Sequence, residues 1–440
     1  MSTPAAGLQL LRALALGLLL CPTGRGVQPL QQQQGQLPWK VFSVASFGAS
    51  GSGRRLDTAA VRAAAAAVAR NGGGQLLFPG GGTYLTGSFN VSSNTQVVIE
   101  PSAVVLGSTY GDDWPLVDAA AVWPWFGHGS DCDPGTEACR LMHQALLFAW
   151  NESNVTLGGG GMIDCNASPQ SWWGCAQNLS RPPCNGYARP HCVMLANSSG
   201  VVVSDLRIRN SPDWTLHFAG VRDLHVHHVN VSNPPHEPNA DGIDIDACAN
   251  VLVEDCHVAV ADDALCVKSG IDWLGRRFGR TAENIMFRRC TIGSGEGLTI
   301  GSEMSGGVRN VTFEDISLEG TSVGIRMKSQ RGRGGIVSGI TYRNISMHNI
   351  ATDCVRLNLD YHPGIKFLGS QNLGSGPRWT GGRIVFPAPE QSRADMFPIF
   401  LNNGVYCCKT QKEKIERSIC CHIIRLRIAH PVLTADKTVL

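Results

Sequence analysis

A short phrase recurs along this chain and limits the folds that it can adopt. Each copy consists of a turn residue, three to five alternating apolar positions, a polar turn and a second short apolar run. Asn250, Asn284 and Asn310 stand at the head of three copies, at intervals of 34 and 26 residues, without helical periodicity. Such intervals are typical of solenoids, in which each repeat forms one coil. The copies span residues 201–208, 224–231, 251–258, 285–292, 311–318 and 340–347.

Stacked coils of this kind predict an all-β fold, a single-stranded parallel β-helix. Parallel stacking places equivalent residues about 4.8 Å apart, so apolar side chains form interior ladders and outward positions on one face line a groove. The alternative is a β-sandwich, but sandwich strands follow one another every 8 to 12 residues or so without a longer repeat. One helix is predicted where Leu56, Asp57 and Thr58 lead into the alanine-rich stretch 59–69. We expect this helix to cap the open end of the solenoid.

The amino terminus and the composition indicate a secreted globular protein. Arg12 precedes an apolar run over residues 13–21, which predicts a signal peptide over 1–26 and a linker over 27–38. The run is shorter than the roughly 20 apolar residues that cross a bilayer, so we expect no membrane anchor. The chain has 440 residues, 43% of them hydrophobic, and 51 glycines, which favours a large core of short strands and tight turns. A net charge of +2 without a basic stripe argues against nucleic acid as partner and leaves room for a local basic pocket.

Sixteen cysteines agree with an oxidising compartment, and their spacing lacks the pattern of a zinc site. Cys132 and Cys139 are expected to crosslink a local loop. Four more lie in an insertion rich in proline and tryptophan, where three connectivities are open: Cys165, Cys175, Cys184 and Cys192. Another four lie inside the repeats, where buried thiols and bridges are both consistent with the pattern: Cys248, Cys256, Cys266 and Cys290.

Nine Asn-x-Ser/Thr acceptors predict surface glycans and support secretion. Asparagine is also a common turn residue, so the same positions have a structural explanation. The acceptors are Asn90, Asn151, Asn154, Asn166, Asn178, Asn197, Asn230, Asn310 and Asn344.

Three aspartates form the strongest candidate site. Asp262 and Asp263 are adjacent and begin 21 residues after Asp241, close to the length of a coil, so stacking is expected to bring the three together. Cleavage of a glycosidic bond needs one protonated carboxyl for the leaving oxygen and one ionised carboxylate to activate water. Clustered carboxyls supply both states, because like charges raise one pKa while another group stays ionised. A single aspartate would be explained as a turn carboxylate, but three at this spacing predict a glycosidase.

Several motifs around these aspartates carry a resemblance to a known enzyme family. The first group lies in an amino-terminal cap, and the second group surrounds the acids. They are Phe47 to Ala49, Asp57 to Thr58, Gly72 to Gly74, Pro79 and Thr83 to Tyr84, then Ser211 to Trp214, Asn239 to Asp244, Asp262 to Asp263, Gly295 to Gly297, Gly301 to Gly307 and Arg326 to Lys328. Over roughly residues 40–363 the chain resembles glycoside hydrolase family 28, the polygalacturonases. The resemblance implies a right-handed parallel β-helix that cleaves α-1,4-linked galacturonic acid units of pectin by inversion, in endo or exo mode, without cofactor or metal.

The resemblance also implies roles for the acids and for their neighbours. Asp262 would be the general acid, while Asp241 and Asp263 would hold and deprotonate the attacking water. Glu296 stands where the family has a histidine between two glycines. A carboxylate there is expected to raise the pKa of the proton donor, to alter which sugar is accepted or to point away.

Three further residues are predicted to contact the substrate. Arg326 and Lys328 are two apart, so both project to one face of a strand and can grip a sugar carboxylate, Arg326 by its planar fork and Lys328 as a point charge. Tyr361 lies in a Tyr-His-Pro-Gly turn, and the resemblance implies that it contacts the sugar near the cleaved bond. Lys268 and the arginines Arg276, Arg277, Arg280, Arg331 and Arg333 add positive charge nearby.

Four other residues near the motifs are expected to have structural roles. Asp244 and Asp246 are interpreted as turn or cation-binding residues rather than catalysts. Trp214 and His217 are interpreted as packed side chains rather than as a sugar platform and a catalyst.

The sequence thus predicts a β-helix catalytic domain over residues 39–365 and an irregular segment over 366–440, which either caps the solenoid or is unstructured. We expect a secreted monomer acting on an acidic polysaccharide such as pectin or polygalacturonate. Three alternatives remain: a rhamnogalacturonan-type hydrolase of the same family, a pectate lyase on the same fold, and a non-catalytic glycan-binding β-helix.

Overall fold

A computed structural model describes residues 39–130, 137–330, 332–358 and 361, together with the backbone of four strands between residues 378 and 428. The predicted signal peptide and linker, residues 1–38, lie outside the described residues. Most of the chain forms short strands that pair in parallel with the strand one coil away. The predicted all-β solenoid, a right-handed parallel β-helix, is confirmed.

One face of the solenoid is a parallel sheet that carries most of the outward-facing polar residues discussed below. Each of its strands pairs in parallel with the strand of the next coil; for example, Asp244 is in register with Cys266, and Thr299 with Arg326. Its strands within the described residues are Phe89–Asn90, Leu147–Trp150, Val193–Ala196, Leu216–Ala219, Ile243–Asp246, Leu265–Lys268, Leu298–Ile300, Val323–Lys328 and Asp353–Asn358. We call this face the site sheet.

The other strands of the coils form a second, larger sheet that bends around the remaining faces. Six of its strands contain the six copies of the repeat, alone or together with a following short strand, as the sequence predicted. Its parallel strands are Val41–Ser43, Ser52–Leu56, Gly74–Phe78, Thr83–Thr86, Thr95–Ile99, Val104–Gly107, Ser153–Gly158, Met162–Asp164, Ser199–Arg209, Arg222–Ser232, Ala249–Glu254, His257–Ala259, Ala282–Arg288, Thr291–Ser294, Val308–Glu319 and Ile336–Ile350.

Helices are short and lie at the end or on the outside of the coils. The predicted helix forms over Thr58–Arg70, and its buried side chains, Val61, Ala64 and Val68, join the core at the first coils. It thereby covers the apolar end of the solenoid, as expected. The other helical segments are Val44–Phe47, Gly111–Asp113, Ala119–Val122, Glu137–Arg140, Trp172–Cys175 and Asp272–Phe278, and an antiparallel pair, Leu116–Asp118 with Leu141–His143, lies outside the coils.

Interior side chains form ladders along the solenoid axis. Phe287, Phe313 and Tyr342 occupy one register on three successive coils, and their rings stack with centroids 4.7 and 4.9 Å apart. All three are fully buried. Because the ladder needs an apolar residue at the same place in every coil, it explains the repeated apolar positions of the sequence.

Asparagines form a second ladder at an outer turn. Asn250, Asn284 and Asn310 all have φ near +55° (60, 56 and 53°), a left-handed conformation that asparagine tolerates better than most residues. The side-chain amide of Asn310 donates to Asn284 at 2.8 Å, and that of Asn284 donates to Asn250 at 3.3 Å. The turn role predicted for these positions is therefore confirmed.

The last long parallel strand, Ile336–Ile350, is covered by antiparallel strands from the later part of the chain. Ile419–Ile428 pairs along it from Ile340 to Ile350, and Arg383–Val385 pairs at its beginning. Val405–Cys408 pairs with Ile419–Ile428, and Arg378–Thr380 with Arg383–Val385. Antiparallel pairing thus replaces the parallel coils and covers the open edge of the larger sheet.

The four cysteines of the insertion form two disulfides, which correspond to one of the three connectivities left open by the sequence. Cys165 pairs with Cys192, and Cys175 pairs with Cys184. The cysteines inside the repeats, Cys248, Cys256, Cys266 and Cys290, are buried thiols. The crosslink predicted for Cys139 is wrong, because Cys139 is a free buried thiol and its expected partner Cys132 lies outside the described residues. Closeness in sequence does not provide the Cα separation and side-chain direction that a disulfide needs.

Candidate active site

Asp241, Asp262 and Asp263 meet at the edge of the site sheet. Asp241 lies two residues before the strand Ile243–Asp246, and Asp263 lies two residues before the next strand, Leu265–Lys268. These strands are parallel and in register, so the residues before them reach the same edge. One carboxylate oxygen from each aspartate lies within 4.8 Å of the other two. The structure therefore brings together the three acids that the spacing predicted to meet.

The three acids differ in their contact with solvent. The side chain of Asp262 is 32% exposed, whereas those of Asp241 and Asp263 are buried. The backbone N–H of Asp263 donates to Oδ1 of Asp262 at 2.9 Å, and the carbonyl of Asp263 accepts from Gly242 at 2.8 Å. One carboxyl thus faces the outside of the coil while two lie beneath it.

Asp263 is held in the ionised state by its neighbours. Nζ of Lys328 lies 2.8 Å from Oδ2 of Asp263, and the hydroxyl of Thr299 donates to Oδ1 at 2.9 Å. Burial by itself would raise the pKa of Asp263, but the charges of Lys328 and Lys268 outweigh it and lower the pKa below its ordinary value. Asp263 is therefore suited to accept a proton.

Lys268 lies under the acids and is the centre of the charge network. Its Nζ lies 3.2 Å from Asp241, 3.5 Å from Asp244, 3.7 Å from Asp263 and 3.5 Å from Glu303. The side chain is 3% exposed. Although burial lowers the pKa of a lysine, the neighbouring Cys266 and the carboxyl groups of Asp241, Asp244 and Glu303 raise the pKa of Lys268 well above its ordinary value. One ammonium group thus lies within 3.7 Å of four acidic side chains.

Asp244 and Asp246 lie in the site sheet rather than in a turn. Both are buried on the strand Ile243–Asp246. Burial is the main cause that raises the pKa of Asp244 to about 8 and that of Asp246 to about 7. Burial and the nearby Asp244 likewise raise the pKa of Asp241 well above its ordinary value. The interpretation of Asp244 and Asp246 as turn residues is wrong, because both lie within the strand Ile243–Asp246, whereas their cation-binding role stays a prediction. Loops from distant parts of the chain cover Asp246.

Those covering loops contribute two tryptophans. The indole N–H groups of Trp123 and Trp125 both donate to Oδ2 of Asp246, the second at 3.1 Å. Trp214 is 5% exposed and lies under the Lys268 ammonium, 4.3 Å from Nζ to the ring centroid. His217 is fully buried, and its Nδ1 lies 2.9 Å from Nδ1 of His191. The packed roles interpreted for Trp214 and His217 agree with this aromatic cluster.

The predicted substrate-contacting residues form a second group beside the acids. Arg326 and Lys328 project from the strand Val323–Lys328, two residues apart on one face. Nζ of Lys328 lies 4.0 Å from Asp262, and Arg326 forms an ion pair with Glu296. Tyr361 lies over both cations, with its ring centroid 5.2 Å from Cζ of Arg326 and 5.1 Å from Nζ of Lys328.

Glu303 is a site residue to which the sequence assigned no role. Its carboxylate lies 3.5 Å from Lys268 and 3.6 Å from Arg333, and it accepts a hydrogen bond from Ser302 at 2.6 Å. Burial would raise the pKa of Glu303, but Lys268 and Arg333 lower it to about 2. The only sequence signal was its place inside the motif Gly301 to Gly307, which suggested family resemblance without a function.

The remaining predicted basic residues do not form one strip along the site. Arg333 is buried, and Arg276 donates to the backbone carbonyl of Arg333 at 3.0 Å. Arg280 packs 4.8 Å from the ring centroid of Trp125, while Arg331 lies outside the described residues. Positive charge at the acids therefore comes from Lys268, Lys328 and Arg326.

Comparison with known proteins identifies the family of this chain. The family model of glycosyl hydrolases family 28 matches residues 143–372, which include all seven predicted site residues. This chain belongs to glycoside hydrolase family 28. A probable polygalacturonase from Vitis vinifera is 32% identical over 332 residues, covering 74% of this chain and 65% of that protein.

Two solved structures of exopolygalacturonases show the same fold. An exopolygalacturonase from Thermotoga maritima is 25% identical, with a TM-score of 0.59 over 73% of this chain and 76% of that one. A family 28 exopolygalacturonase from Yersinia enterocolitica is 19% identical, with a TM-score of 0.64 over 76% of this chain and 62% of that one. The matched part covers 65%, 39% and 46% of the Vitis vinifera, Juniperus ashei and Arabidopsis thaliana polygalacturonases, so this family 28 chain spans less than two thirds of their length.

The helices in the described part of this family 28 chain are all too short or too polar to span a bilayer.

The buried carboxyls of this family 28 chain predict a loss of stability in alkaline solution. Burial raises the pKa of Asp244 from 3.8 to about 8 and that of Glu237 from 4.5 to about 9. A carboxyl whose pKa is raised by folding stabilises the folded state at low pH. This contribution is lost as the pH rises from the ordinary pKa to the raised pKa of the folded state. We therefore expect the melting temperature, followed by circular dichroism, to fall from pH 7 to pH 9.

The range from pH 7 to pH 9 lies above the ordinary pKa of histidine. The buried His191 and His217, whose pKa values are lowered by burial, therefore do not change the pH dependence of stability in this range. Glu237→Gln is the matched control, because it removes one raised carboxyl and should flatten the decline. A melting temperature that rises between pH 7 and pH 9 would contradict the prediction.

Proposed function

We propose that this protein is an inverting glycoside hydrolase that cleaves α-1,4-linked galacturonic acid units of pectin. The observation that carries the proposal is the meeting of Asp241, Asp262 and Asp263 at one edge, with one acid exposed and two buried. Family 28 membership and relatives named as polygalacturonases support it. The predicted signal peptide and glycan acceptors support action outside the cell on a cell-wall polysaccharide.

The three acids have different roles in the proposed reaction. Asp262 is the general acid, because its partly exposed carboxyl is the one that a glycosidic oxygen can reach. Asp263 is ionised by Lys328 and Lys268 and therefore takes the proton of the attacking water. Asp241 holds that water, since its oxygen lies near both of the others.

The spacing of the acids fits a single bridging water. The nearest oxygens lie within 4.8 Å of one another, and a water that hydrogen-bonds to two of them spans about this distance. Inverting enzymes usually separate their two carboxyl groups by roughly 6.5 to 9.5 Å and retaining enzymes by about 5 to 5.5 Å. The separation of whole carboxyl groups exceeds that of their nearest oxygens, so this spacing is compatible with inversion.

Lys268, Arg326 and Lys328 suit a polysaccharide that carries acidic groups. Each is at most 5% exposed, so its charge acts in a largely dry environment. Arg326 and Lys328 share one strand face beside the exposed acid, which is where a bound sugar must lie.

The experiment is a digestion of polygalacturonate and of partly methyl-esterified pectin by the purified protein. Hydrolysis releases reducing ends without ultraviolet absorption, and proton NMR of the first product should show the β-anomer from the α-linkage. An unsaturated product that absorbs in the ultraviolet would instead establish a lyase, and an α-anomer would establish retention. Absence of new reducing ends from both polymers, and from a rhamnose-containing pectin, would overturn the proposed hydrolysis.

A further inference from the structure

Glu296 contacts the two cations that are expected to bind the substrate. Its Oε2 forms an ion pair with Nη1 of Arg326 and lies 3.8 Å from Nζ of Lys328. The side chains of both cations are more than nine-tenths buried, so water screens these contacts only weakly. A carboxylate of the protein therefore already lies where a sugar carboxylate would bind.

The turn around Glu296 fixes its position. Gly295 and Gly297 have φ of +94° and +56°, and the backbone N–H of Glu296 donates to the carbonyl of Asp262 at 2.8 Å. A Cβ at Gly297 would lie 2.1 Å from the carbonyl oxygen of Gly324, so the turn packs tightly onto the next coil. The backbone of this turn thus contacts the preceding coil at Asp262 and lies close to the next coil at Gly324.

Arg326 keeps buried N–H donors for a ligand. Glu296 pairs with Nη1, and the ring of Tyr361 lies 5.2 Å from Cζ. Nη1 makes no hydrogen bond besides this ion pair, and the Nε atom of Arg326 is buried with no hydrogen-bond partner among the residues that the structure describes. A buried N–H group without an acceptor is destabilising, so this atom marks a place for an oxygen of the substrate.

The charges around this donor favour a neutral oxygen. At Arg326 itself, the carboxylate of Glu296 already balances the charge of the guanidinium group. A free sugar carboxylate would add a negative charge beside Glu296, and like charges repel strongly where water is excluded.

We propose that Glu296 makes the subsite at Arg326 selective for a sugar unit that carries no charge there. Such a unit is a methyl-esterified galacturonate or a neutral sugar of the pectic chain, since both offer oxygens without a charge. The inference rests on the proposed function and names its substrate class more closely. Glu296 is thus a specificity-determining residue, whereas a neutral or cationic side chain at this position would leave Arg326 free for a carboxylate.

The test measures binding separately from hydrolysis. Asp262→Asn and the double variant Asp262→Asn with Glu296→Gln are titrated calorimetrically with trigalacturonate, with its methyl ester and with a rhamnose-containing fragment. We expect Asp262→Asn to bind an uncharged ligand more tightly than trigalacturonate. Glu296→Gln should then strengthen binding of trigalacturonate by roughly ten-fold, the effect of one recovered charge-assisted contact, and leave the methyl ester unchanged. The fragment that binds more tightly, the methyl ester or the rhamnose-containing one, identifies which kind of neutral sugar unit the subsite accepts.

The control is Glu283→Gln in the Asp262→Asn background, because Glu283 also pairs with an arginine, Arg309, on an exposed part of a strand. It should leave all three affinities unchanged. Equal affinity of trigalacturonate for the variants with and without Glu296 would overturn this inference, even if the unmodified protein hydrolyses pectin. If no fragment binds and no polymer is hydrolysed, the proposed function fails together with it.

Discussion

Replacement of Asp262 by asparagine is expected to lower kcat on pectin by roughly three orders of magnitude, the typical contribution of a general acid. Asparagine has nearly the same shape and can still accept the hydrogen bond from the N–H of Asp263, so the fold should be preserved. It cannot deliver a proton to the leaving oxygen. Initial rates of reducing-end release give kcat and KM separately, and KM should change little because the lost interaction acts in the transition state.

Asp223→Asn is the matched control for this loss. Asp223 is exposed on the strand Arg222–Ser232 of the larger sheet, where it accepts a hydrogen bond from the amide of Asn250 at 2.9 Å. Its substitution removes the same charge from the chain and should leave kcat unchanged. Retention of more than about one tenth of kcat by Asp262→Asn would show that another group supplies the proton.

Lys268→Met is expected to lower the free energy of unfolding by about 3 to 5 kcal/mol, the usual cost of removing one partner from a buried ionic group. Methionine fills a similar volume but leaves Asp241, Asp263 and Glu303 without their shared ammonium. Urea unfolding followed by tryptophan fluorescence measures the change, and Trp214 in contact with Lys268 gives a local signal.

Lys40→Met provides the comparison, because Lys40 is exposed at the start of the described chain and lies 5.2 Å from the ring centroid of Phe42. Its removal should change the unfolding free energy by less than about 1 kcal/mol. Similar unfolding curves for the two variants would mean that the carboxyl groups near Lys268 are compensated in another way.

The solenoid and the meeting of the three acids could be predicted from sequence because both follow from local spacing. The interior ladder of Phe287, Phe313 and Tyr342 requires one apolar residue in every coil, and that requirement is visible as a repeat. Likewise, Asp241 and Asp263 stand at the same offset before two successive strands. Stacking in register then dictates that they lie together.

The burial of the site could not be predicted, because it depends on loops that are distant in sequence. Trp123 and Trp125 come from an insertion more than 100 residues before Asp246, yet their indole groups cover it. Two-residue spacing indicated only that Asp244 and Asp246 share a strand face, and it left open what packs against that face. The role of Lys268 was hidden for the same reason, since a lysine in an apolar strand gives no sign of four acidic partners.

The antiparallel cover on strand Ile336–Ile350 has a consequence for biosynthesis. The strand that covers it, Ile419–Ile428, leaves the ribosome only after residues 351–418 have been made. At about 5 to 20 residues per second, the last coil therefore presents an unpaired edge for several seconds. During this interval the nascent chain can pair with another chain through the same backbone groups. Its yield in a cell should accordingly depend on translation speed and on chaperones that shield strand edges.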